Sequence, residues 1–183
     1  MDAHVLVPLK RIDPKSRLAD ELPLEERVRL MRRLLAGVVA AVDDAGVEQV
    51  TVVSGLTLKG YEVWDDRGLP WNDALAAAIA EVVTAPLVGI ISADLPSVTG
   101  DEVEELLAAT PERGIAIARA LDGGTNAVAM RPPGLVRTHF GEPASAAVHA
   151  ALGVDHVVLD LPGLAFDVDT PEDLARMQAA ASC

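Results

Sequence analysis

The sequence predicts an α/β fold in which a mostly parallel sheet is covered by helices on both faces, and three observations predict it. Short valine- and isoleucine-rich runs alternate with segments of helical period along the chain. The connections between them span three to ten residues, the lengths that join strands to helices in βα units. The runs at 4–8 and 86–92 also read as buried strands, as strands between two helical layers must be.

Each element follows in order. Residues 4–8 are apolar, contain two valines and end on Pro8, which marks a buried strand running into a loop. From 24 to 42, Leu24, Val28, Met31, Leu35, Val38 and Val42 recur at spacings of four and three, one stripe of an amphipathic helix that stops near Gly46. A strand over 47–54, a weaker one over 60–64, an alanine-rich helix over 72–83 and a buried strand over 86–92 come next. Thr99 is placed to cap a helix whose first turn holds Asp101 and Glu102, where acidic groups meet the positive end of the helix dipole. Strands over 114–118, 127–131 and 156–161 precede a last helix beginning at Pro171.

A length of 183 residues with 50% hydrophobic content suits one domain, residues 1–183, with a core large enough to need no disulfide. The only cysteine is Cys183, so thiolate zinc sites and buried thiol nucleophiles are not expected. The longest apolar run is nine residues, 34–42, short of the ~18 a membrane span requires. No secretory signal is read at the N-terminus, and the expected location is the cytoplasm. A net charge of −13 argues against nucleic acid or anionic lipid as partners, because both recruit basic surfaces. The charge is uneven: eight of the 15 Lys and Arg lie in the first 33 positions against six acidic residues, a balance of +2 that leaves −15 on the other 150. A basic end on an acidic chain suits a small anionic ligand held locally.

Three aspartates fall at the ends of expected buried strands, where α/β sheets bind ligands. They are Asp94 in ISADLPSV (91–98) and Asp167 with Asp169 in LAFDVDTPEDL (164–174). Residues two apart in extended chain point the same way, so Asp167 and Asp169 can converge on one hard cation and Asp94 can complete the site from a neighbouring strand. Each aspartate alone reads equally as a helix cap, but Thr170 is the better cap for the last helix, which frees Asp169. The loop KRIDPKSRL (10–18) carries four cations and no glycine, so any triphosphate held there is held by charge, through Lys10, Lys15 and Arg17. Gly123 and Gly124 precede Thr125, and Gly141 lies four residues before Ser145; small residues allow close approach while the hydroxyls can donate to phosphate oxygens. Taken singly these are turn residues. His149 reads as a packed helix residue.

In order along the chain, VPLKRIDPKSRLA (7–19), ISADLPSV, GGTNAVAMRPP (123–133), FGEPASAAVH (140–149) and PGLAFDVDTPEDL (162–174) resemble the 2-phospho-L-lactate or phosphoenolpyruvate guanylyltransferase family. The resemblance implies a Rossmann-like nucleotidyltransferase fold of the nucleotide-diphospho-sugar transferase type. It implies two or three Mg²⁺ ions, or Mn²⁺, on Asp94, Asp167 and Asp169. It places GTP phosphates along Lys10, Lys15 and Arg17, the nucleotide near Asn72, and the phosphate of a small phosphorylated carboxylic acid on Thr125, Gly141 and Ser145. The implied reaction joins the α-phosphate of GTP to that phosphate with release of pyrophosphate, in coenzyme F-420 biosynthesis, with phosphoenolpyruvate the favoured acceptor beside 2-phospho-L-lactate and 3-phospho-D-glycerate. A homodimer and hand-over of the product to the next enzyme are compatible with it. Two departures stand out: Pro70 and Trp71 replace a Gly-Leu pair before Asn72, and one extra residue separates Gly141 from Ser145. A cytidylyl- or uridylyltransferase of related fold and a non-catalytic nucleotide-binding protein remain open as alternatives.

Overall fold

In the computed structural model, which describes residues 1–9 and 15–180, seven strands form one sheet in the order β3-β2-β1-β4-β6-β5-β7. The strands are β1 (His4–Pro8), β2 (Gln49–Val53), β3 (Val63–Trp64), β4 (Val88–Ile91), β5 (Gly114–Arg119), β6 (Thr125–Arg131) and β7 (Asp155–Leu159). Neighbouring pairs are parallel except on either side of β6, which runs against β4 and β5. The reversal is forced locally. Five residues connect β5 to β6, whereas a parallel crossover needs a dozen or more.

The helices are α1 (Leu24–Asp44), α2 (Trp71–Val82), α3 (Gly100–Ala108), α4 (Ser145–Ala150), α5 (Pro162–Ala165) and α6 (Pro171–Ala180). Strand alternation divides the core between the two faces. Val5, Val7, Ile91 and the small residues Ala116, Ala118, Ala127 and Ala129 pack with α1, α3 and α5. Leu6, Ile90, Ile115, Ile117, Val128 and Met130 point the other way, onto α2 and α4. A third cluster of Leu18, Leu30, Leu34, Val168 and Leu174 joins α1 to α6 and to the segment between the two aspartates.

The predicted elements are present, with ends shifted by a few residues. Three were not read from the sequence: a 3₁₀ turn at Ser16–Leu18, α4 and α5, with three, six and four residues. None is long enough to show a helical period. Thr99 caps α3 as expected, in a reciprocal capping box with Glu102. Among the described residues, no helix is long and apolar enough to cross a membrane.

Candidate active site

The topology gathers one end of the sheet into a site. β1 has β2 on one side and β4 on the other, so the chain leaves it in both directions and opens a crevice at the carboxyl ends of β1 and β4. Because β6 is reversed, its first residues, Thr125 and Asn126, lie at this same end. The Ser92 amide donates to the Asn126 carbonyl at 2.8 Å and locks the two strand ends together. The result is a cavity of about 740 Å³, whose wall includes Lys15, Arg17, Asp94, Thr125, Asn126, Gly141, Ser145, Asp167 and Asp169.

The three predicted aspartates meet here. Asp94, Asp167 and Asp169 each offer a carboxylate oxygen within 4.8 Å of the others. The Val168 amide donates to the Asp94 carbonyl at 3.2 Å, which ties the last strand-like segment to the loop after β4. Val168 is fully buried, so extended backbone turns its two neighbours toward the opposite side, into the cavity. Thr170 and Asp173 cap α6 reciprocally: the Asp173 amide donates to Thr170 Oγ1 at 3.3 Å, and the Thr170 amide to Asp173 Oδ2 at 2.8 Å. Asp169 is therefore spared from capping by its side chain.

Lys15 sits between two of these carboxylates, with Nζ 2.6 Å from Asp94 Oδ2 and 2.9 Å from Asp169 Oδ1. Burial works to lower the pKa of its ammonium, but the charges and hydrogen bonds of Asp94 and Asp169 outweigh that and hold it above the ordinary lysine value. The backbone of Lys15 is left-handed, with φ 54° and ψ 45°, a conformation that costs a residue with a Cβ about 1 kcal/mol or more. The two ion pairs over-determine it. Arg17 is largely exposed and reaches Asp169 Oδ2 at 3.5 Å. Lys10 lies outside the described residues.

Among the described residues, Asp167 has no cation in contact. Its pKa is pushed up to about 6, first by burial and then by the neighbouring charge of Asp94, against the Asn126 side-chain amide that donates to Oδ1 at 3.2 Å. Clustered carboxylates short of positive charge, with oxygen donors only, match the donor set of a hard divalent cation, so the residues present fit one.

Thr125, Gly141 and Ser145 line the same cavity. Ser145 Oγ donates to Thr125 Oγ1 at 3.1 Å, so the extra residue before Ser145 does not keep it from the threonine. Gly141 has φ +76°, a turn conformation that disfavours any residue with a side chain. Pro8, Leu9, Met31, Trp71 and Phe140 supply an apolar part of the wall.

Asn72 stands apart. It is not on the cavity wall, and its side chain is occupied elsewhere: Nδ2 donates to the Phe140 carbonyl at 3.1 Å, while Oδ1 accepts from Thr138 Oγ1 at 2.9 Å and from the Phe140 amide at 3.0 Å. Asn72 thus clamps the segment that leads to Gly141. Asn126 escaped the sequence reading, whereas His149, read as a packed helix residue, is buried in α4 with Nδ1 3.0 Å from Thr125 Oγ1. Both fall inside motifs already singled out, GGTNAVAMRPP and FGEPASAAVH, and the short β5–β6 connection was the signal that would have put Asn126 at the active end of the sheet.

A family model described as "Guanylyl transferase CofC like" matches residues 3–180. The chain is 37% identical over 192 residues to a phosphoenolpyruvate guanylyltransferase of Sphaerobacter thermophilus, covering 97% of this chain and 93% of the relative. It is also 37% identical over 181 residues to a 2-phospho-L-lactate guanylyltransferase of Haloarcula marismortui, covering 95% and 84%. Among solved structures, the 2-C-methyl-D-erythritol 4-phosphate cytidylyltransferase of Thermus thermophilus superposes with a TM-score of 0.66 at 20% identity over all of both chains. A Mycobacterium tuberculosis protein solved in complex with manganese gives 0.59 at 20% identity, covering 96% of this chain and 97% of its own. These structures share the nucleotidyltransferase fold. On the family match and the two sequence relatives together, the chain belongs to the CofC-like guanylyl transferases.

Proposed function

We propose that this enzyme transfers GMP from GTP to the phosphate of phosphoenolpyruvate or 2-phospho-L-lactate, releasing pyrophosphate, as a cytoplasmic step in coenzyme F-420 biosynthesis. The observation that carries the reading is the convergence of Asp94, Asp167 and Asp169 in a cavity that Thr125, Gly141 and Ser145 also line. Two anionic groups can be brought face to face there.

Asp94, Asp167 and Asp169 would hold Mg²⁺ or Mn²⁺, which when bound neutralises phosphate charge and stabilises the charge of the transferring group. Lys15 and Arg17 supply positive charge to the triphosphate and to the departing pyrophosphate, a role also proposed for Lys10, which lies outside the described residues. Trp71, Phe140 and Met31 offer apolar surface to the purine. The Thr125 and Ser145 hydroxyls orient the acceptor phosphate and Gly141 allows it close approach. The acceptor oxygen attacks the α-phosphorus as the bond to the β-phosphate oxygen breaks, and pyrophosphate carries away the electron pair. No general base is required, because a phosphomonoester with a second pKa of about 6 is already ionised near neutral pH. The protein contributes position and electrostatics.

The acceptor follows the first relative named above, a phosphoenolpyruvate guanylyltransferase, with 2-phospho-L-lactate as the second choice. A homodimer and hand-over of the product belong to the same proposal, and light scattering reads the first. The test is incubation with GTP and Mg²⁺ plus phosphoenolpyruvate, 2-phospho-L-lactate or 3-phospho-D-glycerate, followed by mass analysis. The expected result is a guanosine diphosphate-linked acid and one pyrophosphate per turnover. Turnover with CTP or UTP in place of GTP, or with no acid at all, would contradict it.

A further inference from the structure

Behind Thr125 lies a buried histidine that the reaction as described does not use. His149, on α4, is fully buried. Its Nε2 lies 3.0 Å from the backbone amide of His139, which can only donate, so Nε2 is the nitrogen without a proton. The ring is neutral at physiological pH, since burial and the neighbouring His139 push its pKa down to about 4 against the opposing Ser145 carbonyl and Glu142. A neutral imidazole carries one proton, and here it must sit on Nδ1, 3.0 Å from Thr125 Oγ1. The Ser145 backbone carbonyl, which also faces the ring, is a second acceptor for that proton and not a source of another.

Proton accounting then decides what Thr125 and Ser145 can offer. Thr125 faces a donor, so it cannot give its own proton to His149. The Thr125 and Ser145 hydroxyls bring two protons, and the hydrogen bond between them, 3.1 Å long, uses one. Both residues line the cavity, so the other proton is available to an anionic oxygen there. The opposite tautomer would set Nε2–H against the His139 amide and turn Nδ1 into an acceptor. It would then take the Thr125 proton, and the pair would have none left to offer.

We propose that His149 is a positioning residue for the acceptor: held as its Nδ1–H tautomer by the His139 amide, it leaves the Thr125–Ser145 pair one hydroxyl proton for a phosphate oxygen. This rests on the reading of Thr125 and Ser145 as the acceptor side. The first measurement requires no turnover. Long-range ¹H–¹⁵N spectra of the uniformly labelled protein at pH 7 should show His149 Nδ1 protonated and Nε2 bare; a protonated Nε2 overturns the proposal whatever the enzyme's substrate. The second is kinetic, with His149→Leu removing the donor and His149→Asn returning an amide donor near the Nδ1 position. His149→Leu should raise the KM for phosphoenolpyruvate about tenfold or more while kcat and the KM for GTP stay within about twofold, and His149→Asn should recover most of the loss. An unchanged acceptor KM in His149→Leu, an equal rise in the KM for GTP, or no recovery in His149→Asn each overturns it. If His149→Leu does not fold, the tautomer spectrum of the wild type decides. Absence of wild-type turnover with either acid would sink the proposed reaction and leave the tautomer result to stand by itself.

Discussion

Asp94 and Asp167 share a wall of the cavity, yet their surroundings give them different characters. Asp94 is paired with Lys15, whereas Asp167 is half-buried beside other carboxylates and accepts from the Asn126 side-chain amide. Asp94→Asn or Asp169→Asn should abolish pyrophosphate release while leaving the melting temperature close to that of the wild type, because each changes a donor oxygen at nearly constant volume. A rate near wild type in either variant removes that residue from the site. Asp167→Asn carries a second expectation. A carboxyl whose folded pKa is raised to about 6 from 3.8 destabilises the fold above that window, and the penalty fades as pH falls through about 6. Measured with chelator, Asp167→Asn should therefore be more stable than wild type at pH 8, with the difference gone near pH 4. His149 works in the opposite sense. Its folded pKa of about 4 lies below the ordinary 6.5, so the stability of its neutral buried form is complete above pH 6.5 and is lost as pH falls toward 4. Thr125→Ala should chiefly raise the KM for the acceptor acid, by about tenfold, and a change confined to the KM for GTP would reassign its ligand.

The aspartate trio was legible in the sequence because alternation along an extended strand is a local property, and two carboxylates either side of a buried valine are visible without any tertiary knowledge. Asn72 was not legible in the same way. A motif can show that an asparagine stands before a helix, but the loop it clamps lies more than sixty residues away, and only packing brings Thr138 and Phe140 to its amide.

At the scale of elements, two small devices set the site's geometry. The capping box of α3 also holds α5, since Glu102 Oε1 accepts from the Gly163 amide at 2.6 Å while Oε2 accepts from the Thr99 amide at 3.1 Å. That ties the turn preceding Asp167 to the start of α3. Thr99→Ala should cost about 1 kcal/mol, as for other caps. Glu102→Ala should cost more, about 1 to 3 kcal/mol, because it also leaves the buried Gly163 donor without its partner; urea unfolding of the two variants gives the comparison. The second device is the Asn72 clamp at the start of α2. Asn72→Ala should loosen the Phe140 to Ser145 segment and raise the acceptor KM, leaving the KM for GTP in place. A rise confined to GTP would restore Asn72 to the nucleotide side.

The long elements were readable from period and caps, α1 above all, although of its six stripe residues Met31, Leu35, Val38 and Val42 are buried while Leu24 is exposed and Val28 half-buried; Leu30, Leu34 and Ala41 complete the buried face. Strand direction was harder. No residue type marks β6 as antiparallel, and the evidence lay in the length of its connection to β5 rather than in the strand itself. The helices α4 and α5 were not outlined because one or two turns contain too few residues to display a period, although α4 presents Ser145 to the cavity and packs His149 behind Thr125.

At the scale of the whole molecule, all seven strands lie in one sheet and the two principal apolar clusters run along its opposite faces. We propose that residues 1–183 unfold as one cooperative unit, and calorimetry should show a single transition whose calorimetric and van't Hoff enthalpies agree. The formal charge of −13 makes the cationic turn at Lys15 and Arg17 the exception on an acidic protein. It lies where the account brings two phosphates together. The claim on which everything turns is that Asp94, Asp167 and Asp169 share divalent cation between nucleotide and acceptor. A crystal grown with Mn²⁺ and a GTP analogue whose α–β bridge cannot be cleaved tests it directly through anomalous scattering. The account predicts manganese peaks bounded by all three carboxylates with the analogue's phosphates beside Lys15; manganese on the phosphates alone, with the three carboxylates taking no part, would contradict it.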